Sequence, residues 1–128
     1  MRWGICVVGA MAVPRQVKVV VVVMFEIGAD TGDTAGEMQR WVERGEFDEK
    51  MPFPLGHRDG YWREDGTLLI CTGGGVTTAT ATIMALGLDT RFDLSEAYWV
   101  VTGIAGGQIR RTVRWGRRRG RDGWSMAI

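Results

Sequence analysis

The sequence predicts an α/β domain built in three layers around a mostly parallel sheet. Three observations lead there. A nearly unbroken valine run at 17–25 lacks the alternation of a half-exposed strand, so both of its faces are expected to be covered, as in the middle of an α/β sheet. Two further apolar runs, 67–72 and 97–103, each lead into glycine-rich loops. Segments with helical spacing lie between the runs. The resulting order of strand, helix, strand, helix, strand joins parallel strands by crossovers.

Each element has its own warrant. After the valine run, residues 27–34 supply Gly28, Asp30, Gly32 and Asp33, which are turn or ligand-loop residues. A helix is expected next, with Thr34 as N-cap and Glu37 at capping-box spacing. Met38, Trp41 and Val42 would form its buried stripe, and Gly45 its stop. Pro52 and Pro54 limit 47–55 to an edge strand or an extended segment. Residues 56–66 read as a polar loop with a hairpin around Glu64, Asp65 and Gly66, followed by the second buried strand at 67–72. A helix over 76–86 buries Ile83, Leu86 and several alanines. Its threonines are poor helix formers, so tertiary contacts must hold it until Gly87 closes it. The third strand spans 97–103, where Tyr98 and Trp99 read as core residues, as does Trp41 in the first helix.

Bulk properties narrow the function classes. The chain has 128 residues, which bounds it to one small domain. Up to Gly107 there are nine Lys/Arg against fourteen Asp/Glu; from 108 to 128 there are seven Arg against the single Asp122. That switch sets a boundary after Gly107. No apolar run reaches the length of roughly 20 residues that a membrane-spanning helix needs. Cys6 and Cys71 belong to no CxxC or Cys/His ligand set, so structural zinc is not expected, and no motif calls for another cofactor. Residues 1–15 read equally as an unstructured leader or as a signal remnant, with Ala10-Met11-Ala12 resembling a cleavage site; periplasmic and cytoplasmic locations both remain open. The 108–128 segment reads as a basic disordered tail. Its Arg, Gly and Trp content is what out-of-frame reading of a GC-rich gene produces, so a frameshift near Gly107 is the expectation, and binding to nucleic acid is not.

Chemistry-bearing residues gather at two junctions between strand and glycine loop. One runs through Thr72, Gly73, Gly74, Gly75, Val76, Thr77 and Thr78; the other is 102–107. Glycine lets a backbone approach an anion closely, and the first loop opens a helix whose free N–H groups favour phosphate or carboxylate. The spacing matches neither a P-loop nor a dinucleotide fingerprint, and such turns are more often only turns. Glu26 follows the valine run, where α/β proteins place ligands. A carboxylate there can bind ribose hydroxyls, position a water or act as a base. For Asp30 and Asp33 a solvated turn is the plainer reading, and for His57, the only histidine, a surface position comes first and substrate contact second.

Two stretches resemble a known family. Residues 17–43, VKVVVVVMFEIGADTGDTAGEMQRWVE, are similar to the opening of purine nucleoside permeases. Residues 72–106, TGGGVTTATATIMALGLDTRFDLSEAYWVVTGIAG, are similar to their central signature, with IMALGLDTRFDLSEAYW the most specific part. The resemblance covers roughly residues 16–107 and implies a nucleoside phosphorylase-like fold, here incomplete. Those proteins bind phosphate or a catalytic water near the first-strand loop and the glycine-rich loops. The resemblance therefore implies Glu26 as candidate catalytic residue, and Thr72, Gly73, Gly75, Thr77, Gly103 and Gly106 as candidate substrate-binding residues.

The implied partners are a purine nucleoside and, as a co-substrate, phosphate, with an oligomer for the full-length form. Three readings follow. The first is nucleoside binding linked to transmembrane uptake. The second is phosphorolysis or hydrolysis of the N-glycosidic bond, so whether the chain is an enzyme stays open. The third is an inactive fragment truncated before a complete active site.

Overall fold

A computed structural model describes residues 12–103. In chain order the elements are β1 (Arg15–Gln16), β2 (Val19–Val23), α1 (Gln39–Arg44), β3 (Glu49–Met51), β4 (Gly60–Arg63), β5 (Thr67–Cys71), α2 (Val76–Gly87), β6 (Phe92–Asp93) and β7 (Tyr98–Val101). The sequence-based readings of Cys6, Gly106, the tail at 108–128 and most of the leader fall outside the described residues. Arg15, placed in that leader, belongs to β1, which pairs in parallel with β6.

Five strands form the main sheet in the order β3-β4-β5-β2-β7. The valine strand β2 lies between β5 and β7 and is parallel to both. Strands β3 and β4 run antiparallel, β4 against β5 and β3 against β4. The sheet is therefore mixed, and the mostly parallel expectation describes only its β5-β2-β7 half. The hairpin at Glu64, Asp65 and Gly66 is the cause. Asp65 accepts the Thr67 N–H and the Arg63 guanidinium, and Gly66 takes a left-handed φ of 94°, so β4 returns directly along β5.

The valine run lacks alternation because each of its faces meets its own layer. Val20 and Val22 pack with Leu68 and Ile70 of β5 against Leu86 and Ile83 of α2. Val21 and Val23 pack with Leu69 and Cys71 against Met38 and, from α1, Val42. One helix thus covers each face, giving three layers. The threonine-rich α2 is anchored as its composition requires. Thr82 is buried, donates to the Thr72 carbonyl and accepts the His57 N–H, so its hydroxyl is satisfied inside the core.

Two expectations are corrected. Helix α1 does not begin at a capping box: Met38 is the N-cap, and no side chain of Thr34 serves there. Glu37 reaches back to the Met24 N–H while its own N–H donates to the Phe25 carbonyl. Asp33 closes the preceding loop on the Ala29 N–H, so helical geometry starts only once the chain returns to the sheet. The aromatic residues read as core are exposed: Tyr98 to 79%, with Trp99 and Trp41 less so. Among the described residues β7 pairs only with β2, so its other edge has no strand beside it. Gly45 does end α1, as its position suggested.

Candidate functional site

The carboxyl ends of β5, β2 and β7 point to one edge of the sheet, and the loops that follow them meet there. The β2 loop is organised by Glu26. One of its carboxylate oxygens accepts the N–H groups of Ile27 and Gly36, and the other accepts that of Gln39. Burial works to raise the Glu26 pKa, but the N–H groups of Gln39, Gly36, Ile27 and Met38 outweigh it and hold the carboxyl below its ordinary range. Glu26 is thus an ionised cap, supplied from thirteen residues before the helix that it caps.

The β5 loop makes the turn into α2. Gly73 and Gly75 have left-handed φ values of 79° and 87°, conformations that side chains rarely adopt. Gly75 is the N-cap, and among the described residues no side chain caps the first-turn N–H groups of α2, where exposed Thr77 also lies. Thr72 is buried and its hydroxyl is spent on the Gly73 carbonyl at 3.1 Å. Gly103, beyond β7, lies against the Glu37 carboxylate: a Cβ there would sit 2.9 Å from Oε1. Of the residues singled out in the sequence, Gly73, Gly75 and Thr77 therefore share the β5 loop and the start of α2, while Gly103 lies against Glu37, which is bonded to the chain just after β2. Glu26 and Thr72 direct their polar atoms at the main chain, and Gly106 lies outside the described residues.

The loop from Pro52 to Asp59 brings in residues that sequence reasoning left on the surface. His57 lies over Gly73, where a Cβ would meet its Cγ and Nδ1 at 2.9 Å. The adjacent Arg58 donates to the Gly28 carbonyl at 2.6 Å and to Asp30 at 2.7 Å. Two consecutive basic side chains thus touch the loops after β5 and β2. Their adjacency in a Pro/Gly loop was the only signal available, and it gives no partner.

Asp30 is the hub of a polar cluster rather than a solvated turn residue. Besides Arg58 it accepts Lys50 and the Tyr61 hydroxyl, each at 2.8 Å. Burial pushes its pKa up, yet Lys50, Tyr61 and Arg58 outweigh that and hold the carboxyl below the usual range. Lys50 is raised in turn, chiefly by its hydrogen bond to Asp30. Burial, then Asp30, raise Tyr61. Gly28, Ala29, Asp30, Lys50, Arg58 and Asp59 enclose an open basin of about 410 Å³.

Among the described residues no group of His, Cys, Asp and Glu side chains is arranged to hold a metal ion. Cys71 is a buried free thiol whose pKa is raised by that burial. No helix among the described residues is long and apolar enough to cross a membrane. No curated protein matches the chain. No solved structure matches it either. The family model for purine nucleoside permease (NUP) does match, over residues 16–112, a span that holds every loop described above and runs past Gly107. The chain belongs to the purine nucleoside permease family.

Proposed function

We propose that the chain binds a purine nucleoside in the crevice beyond the carboxyl ends of β2 and β5, as a binding component linked to nucleoside uptake. The observation that carries this is the convergence, inside the family-matched span, of the Gly73–Gly75 turn, the uncapped start of α2 and the His57-Arg58 pair. Gly73, Gly75, Thr77 and Gly103 line the ligand's side of the crevice in this reading. Glu26 and Thr72 act as positioning residues, since their polar atoms fix the two loops and leave little for a ligand. Hydrogen exchange with and without inosine tests this. Slowed exchange at Gly73, Gly75 and Thr77 is expected; unchanged exchange there at saturating inosine would sink the reading.

One observation favours cleavage as a second reading. A glycine turn with two left-handed residues opening a twelve-residue helix is suited to an oxyanion. In that reading a phosphate oxygen bonds to the sugar's anomeric carbon while the C–N bond breaks, and the purine leaves with the electron pair and takes up a proton. Phosphate serves as co-substrate, and water in its place gives hydrolysis. Release of hypoxanthine from inosine only when phosphate is added separates phosphorolysis from binding alone.

A further inference from the structure

The basin beside Asp30 is built from groups that are mostly satisfied by one another, with one pair left apart. Asp30 takes Arg58 on one oxygen and both Lys50 and Tyr61 on the other. Arg58 divides its donors between Asp30 and the Gly28 carbonyl. Asp59 is oriented by the Phe53 N–H, which donates to Oδ1 at 3.0 Å. That leaves Asp59 Oδ2 facing Lys50 Nζ at 3.8 Å, too long for a hydrogen bond. The two side chains are 43% and 51% exposed, so both are reachable from the basin.

From this geometry we infer that Lys50 and Asp59 recognise a hydroxyl of a neutral sugar, the ribose of a nucleoside; the inference rests on the nucleoside-binding reading above. A hydroxyl oxygen about 2.8 Å from each group fits between atoms separated as these are. It donates its hydrogen to Asp59 Oδ2 and accepts one of the Lys50 N–H groups. Both partners are held in place beforehand, Asp59 by the main chain and Lys50 by Asp30 and the face of Tyr61, so ordering costs little on binding. The charge balance sets the ligand class. Lys50 and Arg58 stand against Asp30 and Asp59, which makes the lining formally neutral and gives a free anion no net attraction. The basin also adjoins the rest of the crevice, because Arg58 follows His57, which overlies Gly73.

The test is calorimetric titration of the full chain with inosine, 2′-deoxyinosine, 3′-deoxyinosine and inorganic phosphate. The wild type is expected to bind inosine about tenfold tighter than one of the two deoxy forms, the effect of one hydrogen bond to charged partners. Asp59→Asn keeps an acceptor for Phe53 and replaces the facing oxygen by a donor. It should erase that preference while binding of the deoxy form persists. Lys50→Met removes the other half of the pair and should act alike, which covers the case in which one variant fails to fold. Folded variants that keep the preference, or a wild type that binds all three nucleosides equally, overturn the inference and leave nucleoside binding standing. Phosphate binding that Lys50→Met weakens overturns it in favour of an anion site. A wild type that binds no nucleoside removes both readings together.

Discussion

Strands β5 and β7 flank the same valine strand in the same parallel sense, and Val20 lies between Leu68 on one side and Trp99 on the other. Their environments are opposite. Leu68 is 0% exposed, and Val101 is 66% exposed. TLLIC and YWVV are both apolar, so hydrophobicity does not separate them. Their neighbours do. The β4 hairpin covers the outer edge of β5, and helices α1 and α2 cover its faces, whereas among the described residues β7 has a partner on one side only. An apolar run therefore encodes a strand and a sheet position, while burial is conferred by what packs around it.

The largest expected effect tests this difference directly. Leu68→Ala should cost about 2–5 kcal/mol in urea unfolding, as buried leucines do, while Val101→Ala should stay within about 0.5 kcal/mol. Equal costs would mean that β7 is covered in solution. The glycines that follow the two strands sharpen the contrast at a smaller scale. Gly73→Ala forces a side chain into a left-handed conformation, with its Cβ 2.5 Å from Thr78 and 2.9 Å from His57, and should cost about 1–3 kcal/mol. Gly103→Ala needs no left-handed backbone and brings its Cβ 2.9 Å from the Glu37 carboxylate, which the Met24 N–H holds, and should cost less than Gly73→Ala, about 1 kcal/mol. Thermal unfolding of both variants decides whether the β5 loop is the more constrained of the two.

The smallest effect concerns the hairpin that shelters β5. The Arg63 guanidinium, together with Thr67, holds the Asp65 carboxyl down from 3.8 to about 2. A depressed carboxyl contributes stability that is present above its unfolded pKa and lost as pH falls through the folded one. The wild type should accordingly lose an increment between pH 3.8 and about 2 that Asp65→Asn lacks, seen by comparing their acid unfolding curves. Because Asp65 is half-exposed, that increment should be below about 1 kcal/mol.

What the sequence disclosed follows the range of the contacts involved. The valine run, the 67–72 strand, the hairpin and the Gly45 stop depend on neighbouring residues, and each is present. The start of α1 was misplaced because local capping rules look three residues ahead, whereas the acceptor is Glu26, thirteen residues earlier. The glycine turn at Gly73 and Gly75 was legible from composition. Its meeting with His57 and Arg58 was not, because no spacing rule links a Pro/Gly loop to the ends of two other strands. The exposure of Tyr98 and Trp99 was hidden for the same reason. Aromatic residues in a strand read as core unless the strand's neighbours are known.

Glu26 also shapes how this site can change. By gripping Ile27 and Gly36 together it ties off the residues between them at their neck, leaving an Ω-shaped excursion whose ends are fixed independently of its contents. Lengthening such an excursion is inexpensive, since each doubling of a loop costs only about 0.6 kcal/mol in closure entropy. Asp30 sits inside the excursion, so the residue that addresses the basin is carried on a segment tied off from the valine strand behind it.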